Sequence, residues 1–320
     1  MISLDLSSCS SFNIHRSGWK YCLSCLEPFH SQHGIPVDGF IEKQFSWKVK
    51  SYYENKNSKI PYTRDWIGFL HNPPNPPDWF DTYNSPAAIF GRDVFRKSLE
   101  SCRALVCLSE YLAGWVRSKC SVPVIVVKHP TVTNITKWKP EKFLAKERPI
   151  LLQIGYWLRR MISICEINVP YPFFKKWLPS DHEYAAQLLD IEKKSLKHPF
   201  TNQSRWSGVE VLERVSNAEF DDMLTSCVAF LDLYDSSANN AVIECIARNT
   251  PLLVNKHPAV VEYCGEDYPL YFDNLEHASD LLCDSDKIFA AHEHFKNMDK
   301  RWIDGGYFSH DLTTKLENIL

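Results

Sequence analysis

Short apolar runs alternate with longer amphipathic stretches along this chain, the pattern of parallel strands covered by helices. In the first half, residues 66–70 predict a strand that stops at the polar, proline-rich stretch His71-Asn72-Pro73-Pro74. Residues 104–107 and 122–127 predict two more strands, running into Leu108-Ser109-Glu110 and Lys128-His129-Pro130. Residues 86–99 and 111–119 read as helices; nearer the start, 21–30 read as a helix and 40–45 as a strand. The polar, charged stretch 136–148, with Pro140 inside it, is the linker candidate.

Beyond it the strand–helix alternation becomes regular. Strands are predicted at 149–154, within 208–215, and at 227–233, 251–255 and 270–272. Helices are predicted at 219–226, 240–247, 258–264 and 275–282. The last 25 residues read as helical at both ends with a glycine pair between them. Sheets of this kind bind ligands beyond the carboxyl ends of their strands, so the loops there are where chemistry is sought.

Composition narrows the classes. A hydrophobic fraction of 44% with 23% charged residues describes a soluble globular chain of 320 residues, long enough for two domains. The net charge of −3 gives no field to hold a nucleic acid. Eleven scattered cysteines suggest a reducing compartment, and the Cys22/Cys25 pair, on a predicted helix with no second pair at metal-site spacing, reads as core packing. No leader-like start and no membrane-length apolar run are evident, so the expectation is a cytoplasmic protein with peripheral membrane contact left open. Asn134 and Asn202 each open a sequon that carries little meaning in that compartment. Motifs for a P-loop, a dinucleotide fingerprint, a zinc protease and a nucleophile elbow are absent.

The most informative segment is Asp235-Ser236-Ser237-Ala238-Asn239-Asn240, which joins a buried strand to a helix. Ser237, Asn239 and Asn240 are good helix caps, and the orphan amides of a helix start attract phosphate. Glu244 follows one turn later, where a carboxylate can accept both hydroxyls of a ribose. Gly155 ends the first strand of this half, 149–154, and permits close approach of a diphosphate. Arg159 and Arg160 follow; guanidinium groups suit a diphosphate leaving group, and Arg160 is slightly favoured. His71, Lys128 and His129 stand at strand ends of the first half, placed to meet polar groups of a substrate. Each of these also has a plain structural reading as a cap, a surface charge or a core histidine.

The stretches 211–224, 227–233, 241–247 and 250–254 resemble the carboxy-terminal domain of GT-B glycosyltransferases, nearest to the large retaining, family 4-like group. The resemblance implies two Rossmann-like, doubly wound α/β domains facing a central cleft. Residues 1–145 would form the acceptor-side domain and 146–300 the nucleotide-sugar domain, with a helix in 301–320 packing back on the first. It implies a nucleoside-diphosphate sugar as donor, UDP- or GDP-linked, and a glycan or lipid-linked glycan acceptor. It further implies transfer with retention, no metal, and a place in polysaccharide synthesis. Glu244 matches the family's ribose carboxylate, Gly155 its first-loop glycine, and Arg159 or Arg160 the basic partner. The first Glu of the family's pair falls on Ser236, so Asp235 after a loop shift, or the backbone at Ser236 and Ser237, takes its place. An epimerase of the same fold and a noncatalytic binding protein are the alternatives.

Overall fold

The computed structural model describes residues 2–9, 18–47, 59–80, 82–170, 172–179, 181–195 and 208–320; Asn202 lies outside them. The chain divides into two units. The first comprises Met1–Val132, Ser236–Ala238 and Lys300–Leu320, and the second Thr133–Asp235 and Asn239–Asp299.

The first unit is built on five parallel strands in the order β1-β2-β3-β4-β5: β1 Leu4–Asp5, β2 Ile35–Asp38, β3 Trp66–Leu70, β4 Cys102–Cys107 and β5 Val124–Val126. Alternate residues serve opposite faces. Ile67, Phe69, Ala104 and Val106 meet Trp19, Cys22 and Leu26 from one helix and Phe308 and Leu312 from another, Gly305–Glu317. Trp66, Leu70, Leu105 and Cys107 meet Phe45, Phe95, Leu112 and Val116 on the other side. Both faces are therefore dry, as a parallel sheet requires, and each buried Phe or Leu contributes about 1.5–3 kcal/mol.

Residues 40–45 are not a strand. They enter a π-helical turn, Lys43–Trp47, because Ile41 and Phe45 lie four apart and are both fully buried on one side. The stretch 86–99 forms two helices, Pro86–Phe90 and Asp93–Leu99, broken at Gly91-Arg92. The glycine pair near the end opens a helix capped by Asp304. A Cβ at Gly305 would collide with Cys25 Sγ, so that helix approaches Trp19–Leu26 only as glycine.

The second unit carries six parallel strands: β6 Ile150–Ile154, β7 Phe174–Leu178, β8 Val209–Val211, β9 Cys227–Leu231, β10 Leu252–Asn255 and β11 Tyr271–Phe272. Their spatial order is β8-β7-β6-β9-β10-β11, so chain progression reverses between β6 and β9. That reversal is the switch point of a doubly wound sheet, where the loops leaving the two strands part and a ligand fits. Residues 136–148 are not a linker: Trp138 is 2% exposed, donates from Nε1 to the Cys227 carbonyl at 2.9 Å, and packs with buried Phe143.

Candidate functional site

In the second unit the switch point brings three of the expected residues together. Gly155 leaves β6 with φ +74°, a conformation in which a side chain is strained. Its amide donates to the Leu178 carbonyl at 2.7 Å and its carbonyl accepts Trp177 Nε1 at 3.0 Å, which fixes the turn. The chain then doubles back through Leu158, also at positive φ (52°). The Arg159 guanidinium lies over Gly155, and an added Cβ there would stand 3.1 Å from Arg159 Cζ.

Leaving β9, the chain reaches Asn239, the N-cap of helix Asn240–Arg248. Asn239 Oδ1 accepts from the Ala241 amide at 3.0 Å and from Arg159 Nη2 at 3.1 Å. The amides of Asn240 and Val242 make no hydrogen bond among the described residues, while the Ile243 amide closes the first helical turn on the Asn239 carbonyl. Arg159 also donates from Nη1 to the Trp157 carbonyl at 2.7 Å, but its buried Nε has no partner among the described residues. Burial lowers its pKa to about 10, so it remains a cation. A buried cation, two open amides and a helix dipole thus converge on one place, the constellation that holds a phosphate.

The remaining expectations in this unit are corrected. Arg160 turns away: Nη2 meets Glu166 Oε2 at 2.7 Å, Nη1 lies 3.8 Å from Asp232, and its amide donates to the Asp232 carbonyl. Its charge is already matched by two carboxylates, whereas Arg159 Nε has no partner among the described residues. Asp235 is 2% exposed and accepts from His257 Nε2 at 3.0 Å. The other ring nitrogen of His257 accepts the Ala259 amide, so this pair fastens two loops rather than facing a substrate. Glu244 is 2% exposed and ion-paired with the fully buried Arg248, which also grips Asp221. It does not stand open at the helix start as a ribose ligand would.

Sequence reasoning missed Glu192, on helix His182–Ser195. Its carboxylate accepts the amides of Met161 (3.1 Å) and Ile162 (3.3 Å) and the Tyr234 hydroxyl (2.7 Å). The signal was a Glu in phase with Ala185, Leu188 and Leu189 on the buried stripe of an amphipathic helix.

In the first unit, His71 follows β3. Its ring packs on Trp19 and Phe40, with centroids 4.6 and 4.4 Å away, and Nε2 lies 2.9 Å from the Gly39 carbonyl. That contact assigns the proton to Nε2 and leaves Nδ1 an acceptor. Burial lowers the His71 pKa to about 3, so the ring is neutral across the physiological range. The amides of His71 and Asn72 both donate to Glu42 Oε1 at 2.7 Å. Glu42 is fully buried, its Oε2 has no partner among the described residues, and burial raises its pKa to about 7.

His129 is not a substrate-facing residue. It is 4% exposed, and its ring nitrogens meet the Pro130 carbonyl at 2.7 Å and Cys22 Sγ at 3.4 Å. Lys128 Nζ sits 4.9 Å from the centre of the Trp302 ring, in a groove of about 300 Å³ that also touches Tyr307 and Asp311. Ser236 and Ser237 are buried; Ser237 Oγ lies 3.0 Å from the hydroxyl of Ser109, which caps helix Glu110–Arg117. Among the described residues there is no group of three or more His, Cys, Asp or Glu that could hold a metal ion, and no helix long and apolar enough to cross a membrane.

No protein-family model matches this chain, and no curated protein matches it. Solved structures do. Anabaena HepE in complex with UDP-glucose superposes with a TM-score of 0.62 at 10% identity, over 89% of this chain and 78% of that one. Sucrose-phosphate synthase from Thermosynechococcus elongatus gives 0.60 at 10% identity, over 88% and 73%. The α,α-trehalose 6-phosphate synthase of Burkholderia multivorans gives 0.55 at 13% identity, over 89% and 69%. The architecture is GT-B-like, with two Rossmann-like parallel-sheet domains. At these identities the likeness is one of fold.

Proposed function

We propose that this chain is a glycosyltransferase that takes its sugar from a nucleoside diphosphate donor. The observation that carries the reading is the meeting of Arg159 with Asn239, the N-cap of helix Asn240–Arg248, at the switch point of the second sheet. The donor diphosphate would lie against the open amides of Asn240 and Val242 and the Arg159 guanidinium, for which Gly155 leaves room. Several fold relatives are described with UDP or a UDP-sugar, which supports the same donor class here.

In the transfer, the bond between the anomeric carbon and the β-phosphate oxygen breaks, and charge gathers on the departing diphosphate. A fixed cation and fixed amides stabilise that charge without reorganising. The acceptor hydroxyl oxygen bonds to the anomeric carbon on the face the diphosphate leaves, which gives retention, and its proton passes to the leaving phosphate. His71, with a pKa near 3, is a poor base at neutral pH. The acceptor is assigned to the glycan or lipid-linked glycan class, in surface polysaccharide synthesis.

Thermal-shift measurements against a panel of nucleotide sugars test the reading. A rise in melting temperature with a UDP- or GDP-sugar, and none with NAD or ATP, is expected. No response to any nucleotide sugar would overturn it.

A further inference from the structure

Two backbone hydrogen bonds lace the two switch-point loops of the second unit. The Tyr234 amide donates to the Leu158 carbonyl at 2.9 Å and the Arg160 amide to the Asp232 carbonyl at 2.7 Å, which together make the antiparallel bridge between Arg159 and Leu233. Behind them stands one buried carboxylate. Glu192 Oε1 accepts the Met161 amide and the Tyr234 hydroxyl, and Oε2 accepts the Ile162 amide. Met161 and Ile162 follow Arg159 within three residues; Tyr234 precedes Asn239 by five.

We propose that Glu192 is the positioning residue of the donor site: from helix His182–Ser195 it ties the loop after β6 to the loop after β9 and so sets Arg159 against the start of helix Asn240–Arg248. This rests on the glycosyltransferase reading above. It reaches the donor only through other residues, since its carboxylate hydrogen bonds go to the loops. A carboxylate suits the task because two oxygens serve two amides and a phenol at once. An amide in its place offers one acceptor oxygen and turns an N–H₂ toward a backbone N–H. The cost of a misplaced loop is a misplaced guanidinium, and charge-assisted hydrogen bonds are steep in geometry.

The carboxylate also titrates where it matters. Burial raises its pKa to about 7, against the Tyr234, Ile162 and Met161 hydrogen bonds and the Arg160 charge, which lower it. The groups facing it are Tyr234 from the loop after β9, Arg160 from the loop after β6, with its partners Glu166 and Asp232, and Cys165 from helix Ser163–Glu166. Cys165 is pushed up to about 12 and the Tyr234 phenol is raised as well, so neither changes charge near neutrality. Ionised Glu192 offers all its acceptors; protonated Glu192 gives one up.

The test is calorimetric titration of UDP-glucose, whose esterified diphosphate keeps its charge across the range, between pH 6 and pH 8. Wild-type affinity should rise severalfold with pH. Glu192→Gln, still folded by its melting curve, should bind about tenfold more weakly at pH 8 and show a flat profile. Tyr234→Phe removes one anchor without changing charge and should fall between the two while keeping the pH dependence. Wild-type affinity and pH dependence retained in Glu192→Gln would overturn the positioning role and leave the donor reading intact. A wild-type protein that binds neither UDP-glucose nor any other sugar nucleotide would overturn the donor reading itself. If Glu192→Gln fails to fold, a Tyr234→Phe variant with wild-type affinity contradicts the proposal.

Discussion

Arg159 and Asn239 lie 80 positions apart in the chain, yet Arg159 Nη2 donates to Asn239 Oδ1 at 3.1 Å. The same oxygen caps the helix that follows. The first expected consequence is a division of labour between neighbouring arginines. Arg159→Ala should weaken nucleotide-sugar binding by about tenfold to a hundredfold, the loss of one or two charge-assisted hydrogen bonds. Arg160→Ala strands Glu166 and Asp232 and should lower stability by about 1 kcal/mol with a much smaller change in affinity. Calorimetry and urea unfolding on both variants separate the two effects; equal loss of affinity in both would contradict the assignment.

Gly155 sits under the same guanidinium. Gly155→Ala places a Cβ at positive φ and 3.1 Å from Arg159 Cζ, so something gives. The expected cost is about 1–2 kcal/mol in stability together with weaker donor binding, because the displaced group is the one proposed to meet phosphate. A variant with reduced stability and unaltered donor affinity would place the diphosphate elsewhere.

Glu244 supplies the sharpest contrast between pattern and structure. Glu244→Ala leaves the buried Arg248 with Asp221 as its one remaining acid, at a cost of about 3 kcal/mol. Urea denaturation should show this loss without any ligand present, and Glu244→Gln should be milder. Stability unchanged with affinity abolished would restore the ribose role read from the sequence.

How much was legible follows the strength of the local signal. The apolar runs of β3, β6, β9 and β10 are dense enough to be read directly, and so is the cap at Asn239. Strand β7, Phe-Lys-Lys-Trp-Leu, carries two lysines that mask its apolar pattern, and helix His182–Ser195 is rich in charged residues. The two-residue β1 has no period to detect. Which of two adjacent arginines faces inward was settled by Leu158 at positive φ and by carboxylates at Glu166 and Asp232, none of which sequence spacing reveals. Glu244 resembles a family position, but its i, i+4 partner Arg248 is the local clue to an ion pair.

Glu42 makes stability depend on pH. Its folded pKa of about 7 lies above the ordinary 4.5, so the folded state holds a proton that the unfolded chain releases between those values. Its contribution is full below pH 4.5 and is lost as pH rises through 7, on the order of 3 kcal/mol. Glu192 acts in the same sense. His71, lowered from 6.5 to about 3, acts oppositely: its share is lost as pH falls through that window. Urea unfolding at pH 5 and pH 8 should show wild type weaker at the higher pH and Glu42→Gln closer to level. Parallel profiles would count against a buried, protonated Glu42.

The most direct measurement is a crystal structure of this chain with a bound nucleoside diphosphate sugar. The diphosphate should lie within hydrogen-bond distance of the Asn240 and Val242 amides and of Arg159. Density for the ligand away from the loops that leave β6 and β9 would contradict the account.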